Sequence, residues 1–236
     1  MDRLRLTVLA ICALLTTTID PFSSSSDAQP LSGAAEAIVS NAGSPPVSAG
    51  PNSEVILAST HAHSKIEVMA ERDATEVAAI LRRLSIRHTA LPEHERIALA
   101  YSIVREARAQ DLEPSLVVSV IEVESAGYHL AVSHVGALGL MQLLPATGKE
   151  LAEKHDVEWH GPDTLFNPEV NVKLGTAYLR QLTDQFGSVS TALAAYNWGP
   201  GRIKRRIRRG ATVPSLYIEQ VRAAQNRNIT LASNRS

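Results

Sequence analysis

The chain has 236 residues, 44% of them apolar, and a formal net charge of −1. That size and composition suit one packed domain with an extension, and the near-zero charge argues against a nucleic-acid partner. A single cysteine, Cys12, excludes an intramolecular disulfide and a cysteine-based metal cluster.

The first 28 residues read as a secretory signal peptide. Arg3 and Arg5 form a short basic region, Leu6 to Leu15 is apolar apart from Thr7, and Ser26-Asp27-Ala28 offers a small-x-small cleavage site. Export to the periplasm is expected, with an uncleaved membrane anchor as the alternative. Residues 29–65 are rich in Ser, Ala, Pro and Gly in their first half and predict a disordered tether, because little apolar surface is there to offset ordering entropy. His61 and His63 have no third ligand nearby, so neither a metal nor a cofactor is expected.

Residues 66–110 predict a helical extension. Ile66, Met69, Val77, Ile80, Leu81 and Leu84 recur mostly at three- and four-residue spacing, and Pro92 opens a second helix with the stripe Ile97, Tyr101 and Val104. The extension either packs on the following domain or lies apart from it. The domain itself is placed at 111–226, with a flexible tail at 227–236. Nine of the ten aromatic residues fall between Tyr101 and Tyr217, which locates the core there.

Within that domain Pro114 opens a helix bearing Leu116, Val117, Val120 and Ile121. Gly127 to Gly139 reads as a loop or short hairpin. Helices are predicted over 145–155 and from Pro168 to Gly187, then after Ser188 or Ser190 up to Gly199. Two more are predicted over 202–209 and 214–226. The class is mainly α, with at most a small hairpin.

One residue stands out chemically. Glu124 follows Val117 and Ile121 at i+7 and i+3, so its carboxylate falls on the apolar face of its helix. Such burial raises a carboxyl pKa and suits a general acid. Spacing alone leaves open an end-of-helix glutamate that reaches solvent. Glu122 points to the opposite side, and Glu122→Gln is expected to change little.

The residues downstream decide between these readings. Glu124-Ser125, Ser133-x-x-Gly136-Ala137-x-Gly139-Leu140-Met141-Gln142 and Pro145-x-Thr147 resemble the catalytic domain of the soluble lytic transglycosylases. So do Asn167-Pro168-x-x-Asn171 with Gly175 and Tyr178-Leu179, and Ala194-Ala195-Tyr196-Asn197-x-Gly199-Pro200-Gly201. The resemblance covers residues 112–222.

It implies a goose-lysozyme-like α+β fold and a groove for peptidoglycan glycan strands. It implies cleavage of the β-1,4 bond between N-acetylmuramic acid and N-acetylglucosamine, with formation of a 1,6-anhydro ring. By match Glu124 is the sole acid/base, Met141 and Gln142 line the groove, and Ser133 lies near the reacting sugar. Tyr196 holds the catalytic carboxyl and Asn197 shapes the floor.

Residue chemistry alone also allows Met141 as a core filler and Tyr196 as a core tyrosine. It reads Gly136 and Gly139 as backbone necessities, and Asn171 and Tyr178 as structural. The sequence departs from the family at Trp198 and at Val213-Pro214-Ser215, which stands where many members carry Glu-Thr-Arg before the tyrosine of the last helix; here that tyrosine is Tyr217.

Two rivals remain open, a lysozyme-type muramidase that uses water and a non-catalytic wall-binding or assembly module. A monomer is expected. General wall turnover and local wall opening, the latter with secretion-system or wall-synthesis proteins as partners, are both compatible with the sequence. The basic run from Arg202 to Arg209 reads as a solvated helix face, or as a surface attracted to acidic stem peptides or another anion.

Overall fold

The computed structural model describes residues 52–233, with side chains over 69–227. The proposed signal peptide and the tether as far as residue 51 lie outside the described residues. The chain divides into two compact units, Met1–Ser64 and Lys65–Ser236. Of the first, residues 52–64 are described, and they are helical. Everything below concerns the second.

Eight α-helices follow one another: α1 (Asn52–Ser85), α2 (Glu93–Ala109), α3 (Pro114–Ser125), α4 (Pro145–Lys154), α5 (Pro168–Phe186), α6 (Val189–Trp198), α7 (Pro200–Arg208) and α8 (Leu216–Ser233). A 3-10 turn at Pro162–Phe166 leads into α5. Strand pairing among the described residues is confined to two antiparallel bridges, Val132 with Leu138 and Leu138 with Leu143. The mainly helical class with a small hairpin region is therefore observed.

Local chemistry explains most of the helix starts. Pro114, Pro145, Pro168 and Pro200 each occupy the first turn, where a missing N–H costs nothing and the fixed φ is already helical. The side chain of Asn167 accepts from the Val170 amide and that of Ser188 from the Thr191 amide, capping α5 and α6.

Three boundaries differ from expectation. Helix α1 starts at Asn52, inside the segment read as tether, because residues 52–65 contain neither proline nor glycine to interrupt the backbone ladder. Helix α7 starts at Pro200, which opens a new helix as well as ending the previous one. Helix α8 continues to Ser233, through most of the expected tail.

The buried face of α2 also differs. Leu99, Ala100, Ile103, Val104 and Ala107 face the core, while Tyr101 and Ile97 lie at the surface. Of the expected stripe Val104 is buried, while Ile97 and Tyr101 are not; the buried face runs through 99, 103 and 107.

Two apolar cores result. The larger gathers Val77, Ile80 and Leu84 of α1 with α2, α3, α5, α6 and α8, so the extension packs on the domain. The smaller holds Leu138, Leu143, Leu151, Leu165 and Leu174. Tyr178 and Tyr196 touch both, with ring centroids 5.3 Å apart. The candidate site lies beside this seam.

Candidate functional site

Helix α3 delivers Glu124 at its last turn. Val117, Val120 and Ile121 are buried against α2 and α8, which fixes the helix rotation and turns Glu124 inward. The helix stops at once after it. The Ser125 hydroxyl donates to the Ile121 carbonyl and accepts from the Gly127 amide, while Ala126 and Gly127 take positive φ. The Glu-Ser pair thus joins the candidate carboxyl to the hydroxyl that closes its helix.

Glu124 is partly buried. Desolvation disfavours its ionised form and pushes its pKa from 4.5 up to about 7, against the opposing pull of the Tyr217 hydroxyl. That hydroxyl, from the first turn of α8, donates to Oε1 of Glu124 over 2.5 Å. Tyr217 is itself buried. Its burial, and then the charge of Glu124, hold the phenol well above its ordinary value, so it remains a proton donor in the hydrogen bond.

Tyr196 takes a different position from the one expected. Its hydroxyl donates to the Met141 carbonyl over 2.7 Å. It is close enough to Glu124 for that charge, after burial, to contribute to its own raised pKa. Tyr196 therefore braces the hairpin beside the carboxyl, and Tyr217 contacts the carboxyl itself.

The hairpin is built around Gly139 and Asn171. The buried Asn171 accepts from the Met141 amide at 2.7 Å and donates to the carbonyls of Leu165 at 2.8 Å and Leu138 at 3.1 Å. Gly139 has a φ of +76, and a Cβ there would overlap both the Asn171 amide and the Leu165 carbonyl. The Met141 side chain is fully buried, with its sulfur against Gly175 and Thr176. It fills the core and does not line a groove.

Gln142 follows in a left-handed conformation, φ +50, with its Nε2 donating to the carbonyls of Ala131 and Gly139. Ser133 closes the preceding turn by accepting from the Ala137 amide. Asn197 is half-buried in the last turn of α6. Ser133, Gln142 and Tyr196 thus share one hydrogen-bonded hairpin system, with Asn197 following Tyr196 on α6.

Residues 101–215 match the family described as the transglycosylase SLT domain. This segment belongs to that family. It is 39% identical over 114 residues to the soluble lytic murein transglycosylase of Salmonella typhimurium, which covers 47% of this chain and 18% of the relative. It is 38% identical over 121 residues to the transglycosylase of Enterobacteria phage PRD1, covering 45% of this chain and 42% of that one. The solved lytic transglycosylase Slt of Pseudomonas aeruginosa, an inactive mutant, aligns with a TM-score of 0.45 at 35% identity, over 56% of this chain and 22% of its own. The chain thus spans less than half the length of these relatives.

The SLT match ends at Ser215, one residue before α8. Tyr217, the residue that contacts Glu124, lies just beyond it. The sequence places Tyr217 in the last helix, but the resemblance gives the carboxyl-holding role to Tyr196.

Glu122, on the other side of α3, is not idle. It pairs with Arg83 and Arg87 at 2.5 Å each and with Arg227 at 2.9 Å. One carboxylate ties α1 and its C-terminal extension, α3, and α8 together.

Proposed function

We propose that this chain is a peptidoglycan lytic transglycosylase in which Glu124 performs both proton transfers. The observation that carries the reading is the Glu124 carboxyl in the last turn of α3, with a pKa near 7 and a tyrosine donor on Oε1. Two effects set that pKa, burial and the Tyr217 hydroxyl. A two-carboxyl glycosidase would need a partner for it.

In the first step protonated Glu124 gives its proton to the oxygen between N-acetylmuramic acid and N-acetylglucosamine. The C1–O bond breaks, the N-acetylglucosamine side leaves as an alcohol, and positive charge develops at C1. Glu124 is now a carboxylate, and the Tyr217 hydrogen bond steadies its charge. In the second step it removes the proton of the muramic C6 hydroxyl as that oxygen bonds to C1. The 1,6-anhydro ring closes, Glu124 is protonated again, and no water is consumed. A pKa near neutrality suits a group that must give and take in one cycle.

Met141, Asn171 and Tyr196 would hold the hairpin bearing Ser133 and Gln142 beside the sugar. The chain would act outside the cytoplasm after removal of residues 1–28, which the basic and apolar segments and Ser26-Asp27-Ala28 support. N-terminal sequencing of the exported protein should begin at Gln29; an intact Met1 in the membrane fraction would refute cleavage. The central test is mass analysis of products from purified peptidoglycan. Anhydro products, lighter by one water than hydrolysis products, are expected; reducing-end products would assign the chain to the muramidase rival.

A further inference from the structure

We propose that α7 is a docking surface for the acidic peptides attached to peptidoglycan strands, so that the chain engages peptide-bearing strands in preference to bare ones. The proposal rests on the substrate reading above. Its starting point is charge. Between Asp184 and Glu219 the sequence holds no acidic residue, yet Arg202, Lys204, Arg205, Arg206, Arg208 and Arg209 all fall there. The chain as a whole carries −1, so this segment is a concentrated positive region on a balanced protein.

None of the six cations has a carboxylate within ion-pair distance among the described residues. Several other arginines are paired internally, as around Glu122. Only Ile203 of α7 is buried; five of the cations are exposed and Arg206 is half-exposed. Their positions are also ordered. The guanidinium groups of Arg202 and Arg206 lie 5.2 Å and 5.9 Å from the Trp198 ring centroid, and Arg206 donates to the Thr212 carbonyl. Four cations are left to project from a braced helix.

Place matters as much as charge. Helix α7 connects Tyr196, which braces the hairpin, to Tyr217, which contacts Glu124. The basic surface is therefore built into the segment between two groups that border the reacting centre. The sugars of the strand are uncharged at their rings, but the attached peptides carry free carboxylates. They are the part of this polymer that a cationic rim can attract.

An anionic membrane is the competing occupant for a basic helix with a nearby tryptophan. It is disfavoured by the shortage of apolar surface. The outer face offers Ile207 and a Trp198 whose ring is approached by two cations, which leaves little to bury among acyl chains.

The experiment uses the full chain carrying Glu124→Gln, so that binding is read without cleavage. Binding to surface-immobilised material is measured with three preparations: intact sacculi, glycan strands freed of peptides by an amidase, and sacculi with peptide carboxyls amidated. Intact material should bind roughly ten-fold tighter than either of the others, and added salt should erase the difference. The variant Arg205→Glu/Arg208→Glu/Arg209→Glu should lose that preference; the amidated sacculi give the same test without altering the protein. Equal binding to all three preparations overturns the docking proposal and leaves the glycan reading standing. Failure to bind any of them overturns both. Adsorption to phosphatidylglycerol vesicles, with no preference among sacculi, replaces the peptide by a membrane and overturns the proposal.

Discussion

The Tyr217 hydroxyl and Oε1 of Glu124 sit 2.5 Å apart although 93 positions separate them in the chain. This hydrogen bond opposes the burial of the carboxyl. Burial stabilises the protonated acid needed at the start of the proposed cycle, and the phenol stabilises the carboxylate formed half-way through it. Burial prevails, which leaves the pKa near 7.

Glu124→Gln should abolish turnover. The amide keeps the shape of the acid but carries no transferable proton. General acid–base catalysis contributes ~10²–10⁴-fold, and with both transfers lost the drop should reach at least the upper end. Turbidity clearing of sacculi and product mass provide the measure. Clearing by the variant at the parent rate would remove the basis of the assignment.

Wild-type activity should fall as pH rises past about 7, where Glu124 ionises. The same group sets a stability trend. Its folded pKa lies above the unfolded value, so the folded state holds the extra proton between pH 4.5 and about 7. Stability contributed by this group is therefore lost as pH rises through that window. Glu124→Gln should flatten the decline and raise stability above pH 7 by an amount on the order of 3 kcal/mol. Melting curves from pH 5 to 9 would show a parallel offset at every pH if the group were irrelevant.

Tyr217→Phe keeps the buried ring and removes only the donor. The carboxyl pKa should move further up, shifting the alkaline limb of the pH profile in the same direction. Turnover should fall about ten-fold or more, the scale of a hydrogen bond to a charged group. Tyr196→Phe, which unties the Met141 carbonyl, should lower activity without moving that limb. A common shift in both variants would contradict the division of labour between the two phenols.

Much of this arrangement was legible because it is local. The apolar spacing of Val117, Val120 and Ile121 turns Glu124 inward within a single helix. Prolines mark the first turns of α3, α4, α5 and α7, and Asn167 and Ser188 cap their helices from adjacent positions. What escaped is non-local. Two tyrosines near the carboxyl cannot be assigned roles from spacing, since 72 and 93 residues of chain decide where they arrive. The resemblance assigns Met141 to the groove together with Gln142; its burial depends on the space left by Gly175. The partners of Glu122 are 39, 35 and 105 positions away, so its charge looked merely exposed.

Glu122 accordingly has a second expected outcome in place of a silent one. Burial alone would raise its pKa, but hydrogen bonds from Arg83 and Arg227 and the charges of Arg87 and Arg83 bring it below 4.5. A depressed carboxyl pKa adds stability that is present above the unfolded value and is lost as pH falls through the folded one. Glu122→Gln should cost about 2–3 kcal/mol at pH 7 by leaving guanidinium groups without their counter-charge, and less at pH 3. Urea titrations at both pH values measure this. An unchanged midpoint at pH 7 would return the cluster to the status of a solvated surface pair.

Asn171→Leu should destabilise by about 3 kcal/mol or more, since three buried backbone groups lose their partner. Gly139→Ala should do comparable damage, because the added carbon meets Asn171 and a carbonyl in a φ region hostile to side chains. Both changes should lower melting temperature and activity together. Full activity at normal stability in either would mean that the hairpin does not depend on this anchor.

The C-terminal helix gives the chain a built-in delay. As the polypeptide leaves the ribosome, Glu124 emerges first, and at 5–20 residues per second Tyr217 follows 93 residues and roughly 5–20 s later. Arg227, which pairs with Glu122 of α3, comes later still. A nascent or clipped chain ending before Leu216 would carry the acid without the phenol that hydrogen-bonds it.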